Sequence, residues 1–480
     1  MQGKNSRFVG RKEELKYIEG VLQTKEANIL IVYGRRRIGK TELLEHALGE
    51  RNLLKLEGVE DGDTKAQMVR VLYQLSKALG DPYITHMQFN NWLELFDFIA
   101  SKISSGIWTL YLEEVQWLAE YKNELISDLK YVWDNALRHN PDLLLVLCGS
   151  SPSFMQNQVV HSKALYNRSM YEINLREFSL KEAAELLENR SQKEVMDAYL
   201  TVGGIPEYLK RIKKHSSIQI GICEESFKKD SYFSNEKKRI FISSFADKAN
   251  YQEVVDYLSQ VKFAEKKDIE EYLHKKGGGT LTTVLKDLEM CGFIERYQPY
   301  QTEGNSNLVR YAISDSYLRF YFKFIAPLAN GIQQGDYNSA PVHALNKESY
   351  QKWLGFAFER FCRKENRMIA SILGFSAIRY KSGVFFNRKT VKEEPGYQVD
   401  LLFDRADHVL TICEVKYTWS KTGTEVIDEF EKKLQRIPDS KDKTIEKVLI
   451  SASGATDALL KCSYFDRIIT LDDIFLFSKP

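Results

Sequence analysis

The fold of the first part of this chain is decided by the stretch Gly34-Arg35-Arg36-Arg37-Ile38-Gly39-Lys40-Thr41. It matches the pattern G-x-x-x-x-G-K-[ST], follows an apolar run at 28–33 and precedes a helical pattern at 41–48. Glycines at both ends let the loop curve around phosphates, so that backbone N–H groups and the positive end of the following helix face them. Lys40 is expected to contact the β- and γ-phosphates and Thr41 to ligate Mg²⁺, the alternative being a chance glycine-rich turn.

Further apolar runs at 53–58, 108–114, 143–151 and 170–175 alternate with amphipathic stretches. This alternation predicts a parallel β-sheet covered by helices. The run at 108–114 ends in Glu113 and Glu114. Their position predicts that Glu113 holds Mg²⁺ through water and that Glu114 orients an attacking water, the alternative being two solvated charges at a strand end.

Three more polar candidates lie near the later strands of the predicted sheet. Ser150 or Ser151 would lie where ligands of open α/β sheets bind and could sense a γ-phosphate, although ordinary turn residues also fit. Arg168 could project toward a neighbouring subunit's nucleotide as an arginine finger, or be a solvated arginine. The first interpretation of Arg168 predicts a homo-oligomer.

Length and composition limit the class of protein. With 480 residues the chain is longer than the roughly 250–300 residues that a single hydrophobic core can organise, so we expect several domains. Its net charge of +2 gives no overall electrostatic attraction to nucleic acid or to a membrane surface. The six cysteines are scattered without zinc-site or disulfide spacing, and no apolar stretch approaches the length of a membrane span. The amino terminus shows no targeting pattern, so we expect a cytoplasmic protein without a membrane partner.

Five segments together resemble the archaeal-type P-loop ATPases, an AAA+/STAND-like family: FVGRKEEL at 8–15, YGRRRIGKTELL at 33–44, LYLEEVQWL at 110–118, LCGSSPSFM at 147–155 and VGGIPEYL at 202–209. The resemblance implies ATP and Mg²⁺ as cofactors. It also implies that Val9, Gly10 and Arg11 border the adenine and that Pro206 of the lid lies against the nucleotide from the other side. The chain departs from the family where Glu113 replaces an Asp and Asn167 replaces a Gly.

The predicted organisation is multidomain α/β with four parts. A P-loop ATPase domain at 1–177 is followed by a helical lid at 178–245, because the pattern becomes wholly helical after Phe178. Two helical stretches, a third helix and an apolar strand predict a winged-helix domain at 246–313. Aromatic-rich and then strand-rich sequence predicts a carboxy-terminal α/β domain at 314–480.

A group of ionisable residues stands out in that last domain. Asp400 and Glu414 lie in two apolar runs joined by DRADH, which predicts a β-hairpin, and a turn centred on Asp407 places these two carboxylates opposite each other. Period-two alternation puts Lys416 on the face of Glu414, a grouping suited to Mg²⁺ and phosphodiester hydrolysis. Together with Glu359 on an upstream helix, the region resembles the PD-(D/E)xK restriction-endonuclease-like superfamily. The resemblance implies that Glu359, Asp400 and Glu414 are metal ligands and Lys416 the catalytic cation; a degenerate fold with salt-bridged acids is the alternative.

The expected function is an ATPase coupled to a metal-dependent nuclease-like domain that acts on nucleic acid, DNA in preference to RNA. Acidic and basic residues balance within 262–296, so the winged helix is poorly equipped for phosphate contact. Arg379, Lys381, Arg388, Lys389 and Lys392 form a better basic patch, although a solvated charged face fits equally. The alternative function is a nucleotide-driven switch or assembly protein whose nuclease-like fold only binds nucleic acid or protein.

Overall fold

The first part of the chain forms a five-stranded parallel sheet. The computed structural model describes residues 8–162, 170–245, 249–274, 279–297, 309–387, 397–435, 437 and 442–477. The strands are β1 (Asn28–Tyr33), β2 (Asn52–Glu57), β3 (Trp108–Glu113), β4 (Leu144–Gly149) and β5 (Met170–Asn174), in the spatial order β2-β3-β4-β1-β5. All five apolar runs are therefore strands, as predicted.

Helices cover both faces of this sheet. Along β1, Leu30 and Val32 belong to one buried cluster whereas Ile29 and Ile31 belong to another, because successive side chains point to opposite faces. The helices are α1 (Lys12–Leu22), α2 (Lys40–Leu48), α3 (Thr64–Leu79), α4 (Trp92–Lys102), α5 (Val115–Leu118), α6 (Glu124–Asn135) and α7 (Pro152–Phe154). The carboxyl ends of β1, β3 and β4 meet at one edge, where Lys40, Glu113 and Ser150 lie.

The next segment is helical, as predicted. It contains α8 (Leu180–Leu186), α9 (Gln192–Val202), α10 (Pro206–Lys213), α11 (Ile218–Phe227) and α12 (Tyr232–Ser244). Ser179 begins α8 with a capping box. The Ser179 hydroxyl accepts from the Glu182 backbone N–H, and the Glu182 carboxylate accepts from the Ser179 backbone N–H.

Three helices and a small antiparallel sheet follow. They are α13 (Ala249–Gln260), β6 (Ala264–Glu265), α14 (Lys266–Tyr272), α15 (Gly279–Met290), β7 (Ile294–Tyr297) and β8 (Arg310–Ile313), with the strand order β6-β8-β7. The order of elements agrees with the expected one, and the winged-helix assignment stays a prediction.

The carboxy-terminal part contains a mixed five-stranded sheet in the order β13-β12-β11-β10-β9. Its elements are α16 (Ser316–Phe320), α17 (Ala329–Gln334), α18 (Lys347–Lys364), α19 (Asn366–Leu373), β9 (Tyr380–Asn387), β10 (Tyr397–Arg405), β11 (Val409–Lys416), α20 (Glu425–Leu434), β12 (Thr444–Ser451), α21 (Asp457–Lys461), β13 (Arg467–Ile469) and α22 (Leu471–Phe477). Strands β9, β10 and β11 form an antiparallel meander, whereas β12 and β13 run parallel to β11. Within the described residues, no helix has both the length and the apolar character needed to cross a bilayer.

Candidate functional site

The phosphate-binding loop connects β1 directly to α2. Gly34 begins it, and a Cβ at this position would lie 2.3 Å from the carbonyl oxygen of Leu175, so a larger residue cannot occupy it without displacing the backbone. Gly39 ends the loop with φ at 89°, in the left-handed region that favours glycine, and it caps α2. Each of the two glycines is therefore favoured for its own geometric reason, a close backbone approach at Gly34 and a left-handed conformation at Gly39.

Lys40 folds back across the mouth of this loop. Its ammonium donates to the carbonyl oxygens of Gly34 at 3.0 Å and Arg35 at 3.1 Å, and the side chain is 7% exposed. This orientation holds a positive charge over the space that the loop encloses, which is the position needed for contact with bound phosphates.

Glu113 and Thr41 meet at the end of β3. The Thr41 hydroxyl donates to the buried Glu113 carboxylate, which also accepts from the Tyr111 hydroxyl at 2.9 Å. Lys55 from β2 pairs with the other Glu113 oxygen at 2.7 Å, and although burial opposes the lysine's charge, this pairing raises its pKa. A hydroxyl and a carboxylate oxygen at one point are hard ligands that fit Mg²⁺. Sequence reasoning missed Lys55, because only strand pairing brings it beside Glu113.

Glu114 takes an unusual backbone conformation just after β3. Its φ is 52°, in the left-handed region, which turns its carboxylate away from the path of the strand. That carboxylate accepts from the Ser150 backbone N–H at 3.0 Å, the Ser150 hydroxyl at 2.6 Å and the Gln116 amide at 2.7 Å. The partner of Ser150 in the structure is therefore Glu114, and its role as a sensor of the γ-phosphate stays a prediction.

A cavity lies on the other side of the loop. It is lined by Phe8, Val9, Arg11, Ile38, Gly39, Glu42, Phe178, Leu186, Pro206 and Lys210. Arg11 supports its wall, since the guanidinium donates to the carbonyl oxygens of Ile38 at 2.9 Å and Arg176 at 2.7 Å and stacks over Phe178. Burial lowers the pKa of Arg11. The residues expected to border a base from both sides, Val9 and Pro206, thus line one cavity.

The three arginines of the loop direct their side chains to different partners. Arg35 pairs with Asp315 at 2.5 Å, and although burial opposes the charge, this carboxylate raises the pKa of Arg35. Arg37 pairs with the buried Glu236 of α12, and the guanidinium of Arg36 lies 5.9 Å from the ring of Trp117. Their backbone belongs to the phosphate loop, while the side chains of Arg35 and Arg37 tie it to later parts of the chain. Arg168, the predicted arginine finger, lies outside the described residues.

The carboxy-terminal candidate site is the hairpin β10–β11. Its register pairs Leu401 with Cys413 and Asp404 with Leu410, so continuing it places Asp400 opposite Glu414 and the turn at Asp407, as predicted. Directly opposed residues share one face of a sheet. The buried Asp400 carboxylate accepts from the Val415 N–H at 3.1 Å, while burial and then the neighbouring Glu414 raise the pKa of Asp400 to about 7.

Two lysines surround the Glu414 carboxylate. Lys416 reaches it at 3.0 Å from the same face of β11, as predicted. Lys433, from the last turn of α20, lies 2.6 Å from Glu414 and 3.9 Å from Asp400. Its ammonium stands where a cation shared by these acids would be expected. Sequence reasoning missed Lys433, because the α20 crossover brings it back over the hairpin from a distant position.

Glu359 approaches this cluster from α18. Burial raises its pKa, and Glu414 adds to the effect while Arg363, 3.6 Å away, opposes it. Within the described ranges, no three His, Cys, Asp or Glu side chains are arranged to hold a metal ion directly. The carboxylates supply hard oxygen ligands that suit Mg²⁺ in kind, but Lys433 would have to move for them to share one.

Comparisons with known proteins found a family model and several relatives to which this chain is similar. Residues 8–212 match the family model described as an ATPase domain predominantly from Archaea. An uncharacterized protein of Methanocaldococcus jannaschii is 28% identical over 360 residues, covering 74% of this chain and 76% of that protein. An uncharacterized ATP-binding protein of the same organism is 46% identical over 46 residues, covering 10% of this chain and 78% of that protein.

Among solved structures, the Walker-type ATPase of Pyrococcus abyssi is similar with a TM-score of 0.46 and 17% identity, covering 67% of this chain and 98% of that one. The family match supports an ATPase domain of the archaeal type in residues 8–212.

Proposed function

We propose that ATP binds with its phosphates on the loop at 34–41 and its adenine in the cavity lined by Val9, Arg11 and Pro206. Lys40 then contacts the β- and γ-phosphates. Glu114 is the group that orients the attacking water, because Ser150 and Gln116 hold its carboxylate in place. Mg²⁺, held by Thr41 and by Glu113 through water, would neutralise charge on the phosphates.

We further propose that the carboxy-terminal domain at 314–480 is a PD-(D/E)xK-like domain that hydrolyses phosphodiesters in nucleic acid, DNA in preference to RNA, under control of the nucleotide. The observation that carries this proposal is the register that sets Asp400 opposite Glu414, with Lys416 on the same face. The lid at 178–245 and a winged helix at 246–313 would connect the two sites. Homo-oligomerisation is part of the proposal through Arg168.

Contacts between the two sites support nucleotide control. Lys364, one turn beyond Glu359 on α18, pairs with Glu177 at 2.7 Å, and Glu177 also accepts from the N–H of Gly204 near the adenine cavity. The hydroxyl of Tyr417, next to Lys416, donates to Asp197 of α9 at 2.6 Å. A shift of the lid on nucleotide binding would therefore act on α18 and on the end of β11, two of the elements that carry the carboxy-terminal site.

The test is to incubate the whole chain with plasmid, single-stranded DNA and RNA, with and without Mg²⁺ and ATP. We expect Mg²⁺-dependent cleavage that Asp400→Asn abolishes. Asp404→Asn is the matched control, because Asp404 lies on the same strand but pairs with Lys443 at 2.6 Å. Equal cleavage by wild type and Asp400→Asn would refute the nuclease site.

One observation favours the second candidate, a nucleotide-driven switch whose nuclease-like fold only binds. Lys433 already neutralises Glu414 and approaches Asp400, as in a salt-bridged, inactive site. If the wild-type protein hydrolyses ATP but cleaves none of these substrates in Mg²⁺, the nucleotide-driven switch becomes the proposed function in place of the nuclease.

A further inference from the structure

Three arginines gather at one corner of the carboxy-terminal domain. Arg360 and Arg363 lie one turn apart on α18, and Arg319 comes from α16. Arg363 adjoins the acidic site, because its guanidinium lies 3.3 Å from the backbone oxygen of Asp400 and 3.6 Å from Glu359. Arg319 extends the cluster toward β7, where Glu295 is 3.6 Å away.

Among the described residues, the carboxylates that form ion pairs with this arginine cluster are Glu295 and Glu359. The ion pairs of Arg319 and Arg363 are both longer than a direct hydrogen bond, and Glu359 also faces the carboxylates of the hairpin. The guanidinium of Arg360 is close enough to those of Arg319 and Arg363 to be repelled by them, while Glu359 and Glu295 partly offset this repulsion. An anion bound here would relieve the repulsion among the three guanidinium groups.

A ligand can reach the cluster. The side chains of Arg319 and Arg363 are 22% and 25% exposed, and Arg360 is half-buried. Planar guanidinium groups present paired donors that match phosphate oxygens. Partial burial strengthens such contacts relative to those of a fully solvated arginine.

We propose that Arg319, Arg360 and Arg363 bind backbone phosphates of a nucleic-acid strand beside the Asp400–Glu414 site. The inference rests on the proposed function, since it identifies how substrate is held there. Cations next to an acidic cluster suit a polyphosphate chain that runs past the reacting carboxylates. An acidic peptide could contact the same arginines but lacks the phosphodiester bond that the proposed site would hydrolyse.

The test measures binding rather than cleavage. Fluorescence anisotropy in EDTA would follow a short single-stranded DNA over a series of salt concentrations, for wild type and Arg360→Gln. We expect Arg360→Gln to raise Kd by at least about tenfold, the effect of losing one charge-assisted contact. The magnitude of the slope of log affinity against log salt concentration should fall by about one, which corresponds to the loss of one phosphate contact.

Four controls make the result specific. Arg367→Gln removes the same charge from an exposed position on neighbouring α19 and should leave Kd unchanged. Arg360→Lys should retain the salt slope, which a merely structural role would not predict. DNA with an uncharged methylphosphonate backbone should bind weakly, and inorganic phosphate should compete only at high concentration.

Equal Kd and slope for Arg360→Gln and Arg367→Gln would overturn the inference, as would absence of DNA and RNA binding by wild type. Tighter binding of polyglutamate than of DNA would assign the cluster to an acidic protein instead. Cleavage by the Asp400 variants tests the nuclease site separately. If the protein binds nucleic acid through Arg360 but does not cleave it, this inference stands and only the proposed nuclease activity is refuted.

Discussion

Lys40 is the side chain on which the ATPase site most depends. Lys40→Ala should abolish ATP hydrolysis and weaken ATP binding, because the loop loses the ammonium that lies across its mouth. Phosphate release and nucleotide titration measure the two effects. Lys65→Ala, which removes an exposed lysine from α3, should behave as wild type. Normal turnover by Lys40→Ala would show that hydrolysis occurs elsewhere.

Glu114 and Glu113 should give different phenotypes although they are neighbours. Glu114→Gln should keep ATP bound while slowing its hydrolysis by roughly a hundredfold or more, because the amide preserves shape but orients water poorly. Glu113→Gln should instead weaken Mg²⁺-dependent binding, since Glu113 contacts Thr41. Retention of radiolabelled ATP on each variant measures the difference. If Glu113→Gln retains bound ATP and Glu114→Gln does not, Glu113 orients the attacking water and Glu114 acts on Mg²⁺.

Asp400 predicts a pH dependence of stability. Its folded pKa of about 7 lies above the ordinary value, so between about pH 4 and 7 the unfolded chain ionises while the folded chain keeps the proton. The proton on Asp400 therefore makes its full contribution to the free energy of unfolding below about pH 4. This contribution is lost as the pH rises through about 7. Asp400→Asn should therefore raise Tm more at pH 8 than at pH 5, by a few degrees, in scanning calorimetry with EDTA. A constant Tm difference between the two pH values would contradict it.

At the scale of single residues, spacing predicted the positions with a fixed motif, including Lys40, Thr41, Glu113 and Glu114. It did not predict Gln116 or Lys433. Their partners are determined by a left-handed turn at Glu114 and by the path of α20, and neither leaves a pattern in the sequence.

At the scale of elements, the lid is joined to the ATPase sheet by a close backbone approach. The Phe178 N–H donates to the carbonyl oxygen of Gly204 at 2.8 Å, and a Cβ on Gly204 would lie 2.0 Å from the carbonyl oxygen of Phe178. This approach places α10, with Pro206, against the nucleotide cavity.

Gly204→Ala should therefore lower the free energy of unfolding by about 1–3 kcal/mol and weaken ADP binding. Thermal unfolding with and without ADP measures both. Gly20→Ala in α1 is the matched control, because a Cβ there meets nothing within 4 Å and should stabilise the chain by about 0.5–1 kcal/mol. Equal Tm values for the two variants would show that the backbone yields at Gly204.

Element order and type were largely predictable. Runs of apolar residues bounded by turns predicted β1 to β5, and alternation around DRADH predicted the hairpin β10–β11 and its turn at Asp407. Strand order was not predictable in this way, because local patterns do not specify which strands become neighbours.

At the scale of the whole molecule, buried ion pairs join the phosphate loop to distant segments. Arg35 and Asp315 form one such pair, and the Asp315 carboxylate also caps α16 by accepting from the Leu318 N–H at 2.6 Å. Asp315→Asn keeps an acceptor for the cap but leaves the Arg35 charge buried without its counterion.

We expect Asp315→Asn to cost about 3 kcal/mol of stability and to lower the midpoint of urea unfolding. The double variant Arg35→Met with Asp315→Asn should recover part of the loss, since it removes the uncompensated charge. Glu348→Gln, which breaks the exposed pair with Lys352, should leave the midpoint unchanged. No recovery in the double variant would mean that the cost does not come from the uncompensated charge of Arg35.

The sequence by itself determined the phosphate loop, the order of helices and strands, and the pairing of Asp400 with Glu414 across a hairpin. These features depend on residues close together in the chain, where periodicity and spacing translate directly into geometry. Only the tertiary structure decided that Arg35 meets Asp315, that Lys433 lies between two carboxylates, and that Arg319 joins Arg360 and Arg363. The physical reason is that charges far apart in sequence interact only when packing of apolar faces brings their elements together.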